Sequence, residues 1–179
     1  LLLTLNKVDL FVAVSPAGGS SYFDSFEQAG FQVIDQQGAG LGDRMRHAFE
    51  ERFEAGYERV VIIGSDSPTL PVEYLEKALA SDRDMVLGPS TDGGYYLIGM
   101  KGRVQEVFDK VEWGGDQVLV ATLNHIDRLD LSLDLLAPWY DVDHPEDLAF
   151  LKVHLELMVR GGLAGGDATR KLIKGASEN

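Results

Sequence analysis

The apolar positions of this chain alternate between stretches with a strand-like pattern and stretches with a spacing of three to four residues. Short runs of branched and aromatic residues predict strands at Val8-Asp9-Leu10-Phe11-Val12-Ala13-Val14, closed by Ser15-Pro16-Ala17-Gly18-Gly19, and at Phe31-Gln32-Val33-Ile34. Two more fall at Asp84-Met85-Val86-Leu87-Gly88, closed by Pro89, and at Tyr95 to Met100. Val60-Val61-Ile62-Ile63 does not alternate, the pattern of a central parallel strand covered on both faces. Trp139-Tyr140-Asp141-Val142 predicts a final strand. Between these segments the spacing turns helical. Leu41, Met45, Ala48, Phe49 and Phe53 share one face, with Arg44, Glu51 and Glu54 between them and Gly56 as a stop. Pro71 opens a helix that buries Leu75, Ala78 and Leu79. Pro145 opens another that buries Leu148, Leu151, Leu155 and Met158. Glu146 and Asp147 lie in its first turn, where free N–H groups favour negative charge. Shorter helices are predicted over Ser20 to Ala29, around Val104, Val107 and Phe108, and over Asp116 to Leu123. Residues 124–138 fit either an extended segment or a loop over the core.

Strand and helix in alternation call for an α/β fold with three αβα layers around a mostly parallel, mixed sheet. The 179 residues, 45% of them hydrophobic, suit one domain over residues 1–160, followed by a glycine-rich tail over 161–179 that is expected to fray. The chain opens on Leu1 close to a strand-like segment, so a native N-terminal piece is expected to precede it. A net charge of −13 repels polyanions, which argues against nucleic acid and anionic membranes as partners. A small phosphorylated ligand remains compatible, because a bound cation reverses the local field. Cysteine is absent, which excludes thiolate chemistry and fits a reducing compartment. No segment approaches the roughly 20 apolar residues of a membrane span, so the expected location is the cytoplasm.

Candidate chemistry concentrates in loops that follow strands. Gly64-Ser65-Asp66-Ser67-Pro68-Thr69 places an acid and three hydroxyls after the apolar 60–63 run. Asp66 fits a ligand to a divalent cation, which takes hard oxygen donors. It also fits a loop acid that orders the turn by accepting backbone N–H bonds. Ser67 or Thr69 suits a helix cap. Asp141 and Asp143 of Asp141-Val142-Asp143-His144-Pro145 point to one side of an extended segment. They repel each other unless a cation, a basic side chain or water lies between them. Asp143 is the first ligand candidate of this segment, ahead of Asp141 and of His144, which also reads as a neighbour of a helix cap.

Ser90-Thr91-Asp92-Gly93-Gly94-Tyr95-Tyr96 combines an acid with paired glycines that permit close backbone approach. Asp92 suits a substrate hydroxyl, a second cation or ordinary turn work. Tyr95 and Tyr96 alternate in direction, so one of them lines the site. Gln37-Gly38-Ala39-Gly40-Leu41-Gly42-Asp43-Arg44 has the glycine spacing of a phosphate cradle, but it is neither a dinucleotide fingerprint nor a Walker loop. Arg44 suits a phosphate, or a pairing with Asp43 or Glu51. Trp113 of Trp113-Gly114-Gly115 covers a substrate pocket or joins the core. His47, His125 and His154 read as surface or packing residues. Gly64-Ser65-Asp66-Ser67-Pro68 lacks the nucleophile-elbow pattern, which disfavours a serine hydrolase.

Taken in order, these loops resemble a GT-A-type glycosyltransferase-like family of the nucleotide-diphospho-sugar transferase superfamily. The matching strings are Gln37 with Leu41-Gly42-Asp43-Arg44-Met45, Gly64-Ser65-Asp66-Ser67-Pro68-Thr69-Leu70-Pro71, Gly88-Pro89, Asp92-Gly93-Gly94-Tyr95-Tyr96-Leu97-Ile98-Gly99, and Asp141-Val142-Asp143 with Pro145-Glu146-Asp147-Leu148. The resemblance runs from about residue 9 to about residue 152. It implies that Asp66 holds Mg²⁺ or Mn²⁺ bridging a nucleotide diphosphate, with Asp143 as the partner acid. It implies a catalytic set of Asp66, Asp92 and Asp143. The implied substrate-binding set is Gln37, Gly40, Arg44, Ser65, Ser67, Gly93, Gly94, Tyr95 and Trp113. The expected activity is metal-dependent glycosyl or nucleotidyl transfer between a nucleotide or nucleotide-sugar and a small acceptor. Two features depart from the family pattern. Its first strand and Lys-Thr-Arg-Leu phosphate loop have no match here, and its Trp-Ser-Thr reads Trp113-Gly114-Gly115. They keep a rival open, a degenerate, non-catalytic nucleotide or sugar-phosphate binding domain.

Overall fold

A computed structural model describes residues 2–15 and 21–176. The predicted stop at Pro16 to Gly19, and Ser20 at the start of the first helix, lie outside the described residues. The elements in chain order are β1 (Phe11–Val14), α1 (Asp24–Gln28), β2 (Gln32–Asp35), α2 (Leu41–Glu54), β3 (Arg59–Ile63), α3 (Val72–Ala80), β4 (Met85–Pro89), β5 (Tyr95–Lys101), α4 (Val118–Leu129), β6 (Leu133–Leu135), α5 (Pro145–Arg160) and α6 (Asp167–Ala176).

β3, β5, β4 and β6 form one sheet in that order, and β1 and β2 form a separate parallel pair. β5 runs antiparallel to both β3 and β4, and β6 runs parallel to β4. Three of the four strands therefore point the same way, with β5 reversed among them. Strand alternation divides the core between the two faces. Met85 and Leu87 of β4, with Ile98 and Met100 of β5, meet Met45 and Phe49 of α2 and Ile126 of α4. Val86 and Leu97 on the opposite face meet Leu75 and Ala78 of α3. Helices on both sides of the mixed sheet make the three-layer α/β fold, with the GT-A-like arrangement expected.

Several local expectations change. Among the described residues β3 pairs with one strand only, antiparallel to β5, and all five of its residues stay half-buried. Val60 and Ile62 pack towards the first core and Val61 and Ile63 towards the second, so the unbroken apolar run is explained by two covered faces. Face burial carries no information about strand edges, so the inference of a central parallel strand fails. Val104 to Phe108 form no helix, although Val107 and Phe108 are buried and the Gln105 N–H reaches Met100 Sδ at 3.3 Å. A single turn gains too few hydrogen bonds to offset its nucleation cost. α4 extends to Leu129 and is followed by β6, which resolves the uncertain 124–138 stretch. Trp139 makes one isolated parallel bridge to Ser90 instead of a strand, with Pro138 removing a backbone donor beside it. Leu148 is exposed rather than buried.

The tail forms α6 where fraying was expected. Ile173 packs against Leu151, Leu155 and Met158, and Lys174 lies 3.6 Å from Glu156. No helix among the described residues is long and apolar enough to cross a membrane.

Phe49 is fully buried and stacks on Phe53 and Phe108 with ring centroids 6.1 Å apart in each pair. Phe49→Ala is expected to lower unfolding stability by about 3–5 kcal/mol in urea titration. A loss under about 1 kcal/mol would show that this contact does not anchor α2 to the sheet.

Candidate functional site

β3, β4 and β6 share a direction, so the segments after them emerge at one sheet edge. Asp66 follows β3, Asp92 follows β4, and Asp141 and Asp143 follow β6. Ligands of open α/β sheets sit at this carboxyl edge. Backbone hydrogen bonds stitch the three loops together. The Val142 N–H donates to the Asp66 carbonyl at 3.0 Å, and the Thr91 N–H to the Trp139 carbonyl at 3.1 Å. Below them Tyr140 Oη lies 2.7 Å from both Thr69 Oγ1 and His154 Nδ1, tying the 64–70 loop and the 139–143 segment to α5.

Carboxylate oxygens of Asp92, Asp141 and Asp143 lie within 4.8 Å of one another. Ser90 Oγ donates to Asp141 Oδ2 at 2.7 Å, which aims that carboxylate. Asp92 Oδ1 accepts the Gly94 N–H at 2.9 Å. Asp147 Oδ2 accepts the backbone N–H groups of His144 at 2.8 Å and Asp143 at 3.2 Å, fixing the turn into α5. Asp66 keeps an exposed surface, yet its carboxyl is pushed above the usual range. Partial desolvation is the main cause, and the like charges of Asp141, Asp143 and Asp92 add to it. A Cβ on Gly64 would sit 2.6 Å from Asp66 Oδ1, so glycine there makes room for the folded-back carboxylate.

Asp92, Asp141 and Asp143 offer hard oxygen donors of the kind that could hold a divalent cation. No basic side chain makes an ion pair with these four acids among the described residues.

Residues 1–115 match the family described as "Uncharacterized protein conserved in bacteria" (DUF2064). The chain belongs to that family. It is also similar to a crystal structure from Desulfovibrio desulfuricans G20 described as a "putative nucleotide-diphospho-sugar transferase". The two share 37% identity over 81% of this chain with a TM-score of 0.73. The chain spans 65% of the length of that relative. No curated protein matches. This DUF2064 chain is thus a GT-A-like member of the nucleotide-diphospho-sugar transferase superfamily, as its loop motifs suggested.

The fold treats the expected site residues of this DUF2064 member unequally. Asp143 joins Asp92 and Asp141 in the tight group, whereas Asp66 meets that group through charge and the 3.0 Å backbone bond. Asp141, ranked behind Asp143 on sequence, is a full member of the group. His144 is the N-cap residue of α5, the plainer of its two readings. Ser65 is exposed beside Asp66, and Ser67 is buried with no partner for its hydroxyl among the described residues.

Gly93 has φ +96°, and a Cβ there would lie 2.6 Å from the Asp116 carbonyl oxygen. Its main evident role is thus backbone packing against the segment before α4. Tyr96 is buried and donates to the Ala137 carbonyl at 3.0 Å. Tyr95 packs edge-on to Trp113 with centroids 6.2 Å apart, and burial pushes its phenol well above the ordinary value. Trp113 also lies where a Cβ on Gly42 would meet its indole Nε1 at 2.7 Å. It thereby links the start of α2 to the 90–95 loop.

Gln37 and Gly40 are exposed where β2 passes into α2. Arg44 Nη1 donates to Gln36 Oε1 at 3.3 Å and Arg44 Nε to the Gly38 carbonyl at 3.4 Å. The acids considered for it are paired elsewhere, Asp43 with Arg46 and Glu51 with His47 and Arg52. Among the described residues, Arg44 has only neutral oxygens for partners. Ser90 and Gly64 were missed as supporting residues, since each acts through a neighbour that only the fold identifies, whereas Asp147 caps the first turn of α5 as its position there suggested.

The raised Asp66 carboxyl predicts a pH-dependent stability difference. Its stabilising contribution is present below the ordinary Asp range and is lost as pH rises through the higher folded value. Without divalent cation, Asp66→Asn is therefore expected to raise the melting temperature at neutral pH. The advantage should fade as pH falls through the carboxylate range. A melting temperature lowered equally at every pH would show that crowding does not penalise this charge.

Proposed function

We propose that the chain is a metal-dependent transferase acting on a nucleotide-sugar or nucleoside triphosphate, by glycosyl or nucleotidyl transfer to a small acceptor. The observation that carries this reading is the convergence of Asp66, Asp92, Asp141 and Asp143 at the carboxyl edge of a GT-A-like sheet without a basic partner. Asp92, Asp141 and Asp143, with Asp66 beside them, would hold Mg²⁺ or Mn²⁺. The cation supplies charge neutralisation on a diphosphate and orients it.

The remaining roles fall to the chain's own groups. Ser90 keeps Asp141 aimed, and Asp147 fixes the backbone of Asp143. Arg44, held over the loop before α2 by neutral oxygens, offers its charge to a phosphate. Ser65, Gln37 and Gly40, all exposed, supply polar groups for the nucleotide, whereas the buried Ser67 hydroxyl does not face solvent. Gly93, Gly94, Tyr95 and Trp113 shape the wall towards the sugar or acceptor. The phosphate loop expected from the family belongs with an added strand. The negative net charge disfavours nucleic acid, and the lack of cysteine fits the cytoplasm.

A second reading, a non-catalytic nucleotide or sugar-phosphate binding domain, draws support from Gly114 and Gly115. Both positions face open space and carry no hydroxyl where the family pattern has two.

Mn²⁺ titration by calorimetry, followed by a panel of nucleoside triphosphates and nucleotide-sugars, tests both readings. Asp143→Asn and Asp141→Asn are each expected to weaken Mn²⁺ binding at least tenfold, about 1.4 kcal/mol, with the fold retained by circular dichroism. Unchanged affinity in both variants would remove the metal role. Pyrophosphate release marks nucleotidyl transfer and nucleoside diphosphate release marks glycosyl transfer. Metal-dependent nucleotide binding with neither product favours the binding domain.

A further inference from the structure

We propose that the outer face of α5 is a self-association surface, on which a second copy of this chain packs its own α5 antiparallel. The inner face of α5 is already used. Leu151, Leu155 and Met158 are buried against Tyr140, Val142 and Ile173. Phe150, Val153 and Leu157 recur at i, i+3 and i+7 and remain 57%, 60% and 59% exposed, although one edge of the stripe is used where the Phe150 ring packs edge-on to Tyr140 with centroids 4.8 Å apart. Such a stripe of large apolar residues along one helix marks an interaction surface more than scattered exposure would.

Charge selects the occupant. The stripe is bounded by Glu146 at the start of α5 and Arg160 at its end, both exposed. In an antiparallel pair centred on Val153, Glu146 of each copy is level with Arg160 of the other, and Phe150 of each lies within one residue of the level of Leu157 of the other. The ends are then complementary, and each helix N-terminus lies beside the opposite C-terminus, where the macrodipoles attract. A parallel pair would oppose Glu146 to itself.

The setting favours a second copy as well. The chain carries −13 overall and two copies repel each other over most of their surface. α5 carries Glu146, Asp147 and Glu156 against Lys152 and Arg160, and α6 carries Asp167 against Arg170, Lys171 and Lys174. Taken together these two helices are close to neutral, so their own charges add little repulsion to a pairing through α5.

Sedimentation velocity of the intact protein over about 1–100 µM tests the proposal. The expected result is a two-chain species that dissociates on dilution. Val153→Lys should weaken it at least about tenfold while circular dichroism stays native. Glu146→Arg and Arg160→Glu should each weaken association, and the double variant should restore it by reversing both charges. The charge exchange reads the same contact should Val153→Lys fail to fold. A single-chain species at every concentration overturns the proposal. So does a dimer that Val153→Lys leaves intact, or a double variant no better than the singles. A monomer that sediments with phosphatidylcholine vesicles would assign the stripe to lipid and overturn it too.

Discussion

Four carboxylates held at one sheet edge set the terms for everything around them. Asp66, Asp92, Asp141 and Asp143 come from three loops that the common direction of β3, β4 and β6 brings together. Their repulsion favours separation, and the fold opposes it with uncharged restraints. The Val142–Asp66 backbone bond, the Ser90 hydroxyl and the Thr69–Tyr140 hydroxyl pair each fix a loop. A basic residue would relieve that repulsion, and none makes an ion pair with these acids among the described residues.

The same logic accounts for the glycines that matter. Gly64 leaves room for the Asp66 carboxylate, and Gly93 lets the Asp92 turn press against the Asp116 backbone. At Gly93 the left-handed φ and the 2.6 Å approach coincide, so no side chain satisfies both. Trp113 extends the restraint to the start of α2, where Gly42 receives its indole. The glycine-rich strings that read as ligand cradles are here also devices for packing loop on loop.

β3 and α5 show a related lesson about edges and faces. β3 has the composition of a buried strand because both of its faces are covered, yet one of its edges is unpaired among the described residues. α5 buries Leu151, Leu155 and Met158 against the domain and leaves Val153 and Leu157 largely exposed. Composition reports that a side chain prefers apolar surroundings. It does not say whether those surroundings come from this chain.

The sequence alone determined the α/β class, the extents of α2, β4 and β5 to within a residue or two, and the loops that carry the acids. These depend on local period, on turn residues and on motif strings, all written in contiguous positions. It also placed Asp141 and Asp143 on one side, because strand geometry is local. Tertiary structure decided which carboxylates share a space, bringing Asp92 and Asp141 to Asp143 and leaving Asp66 beside them. It decided that β5 runs reversed between β3 and β4, that Val104 to Phe108 stay irregular, and that the tail forms α6 against α5. Each of those outcomes depends on contacts between segments far apart in the chain, and local patterning carries no record of them.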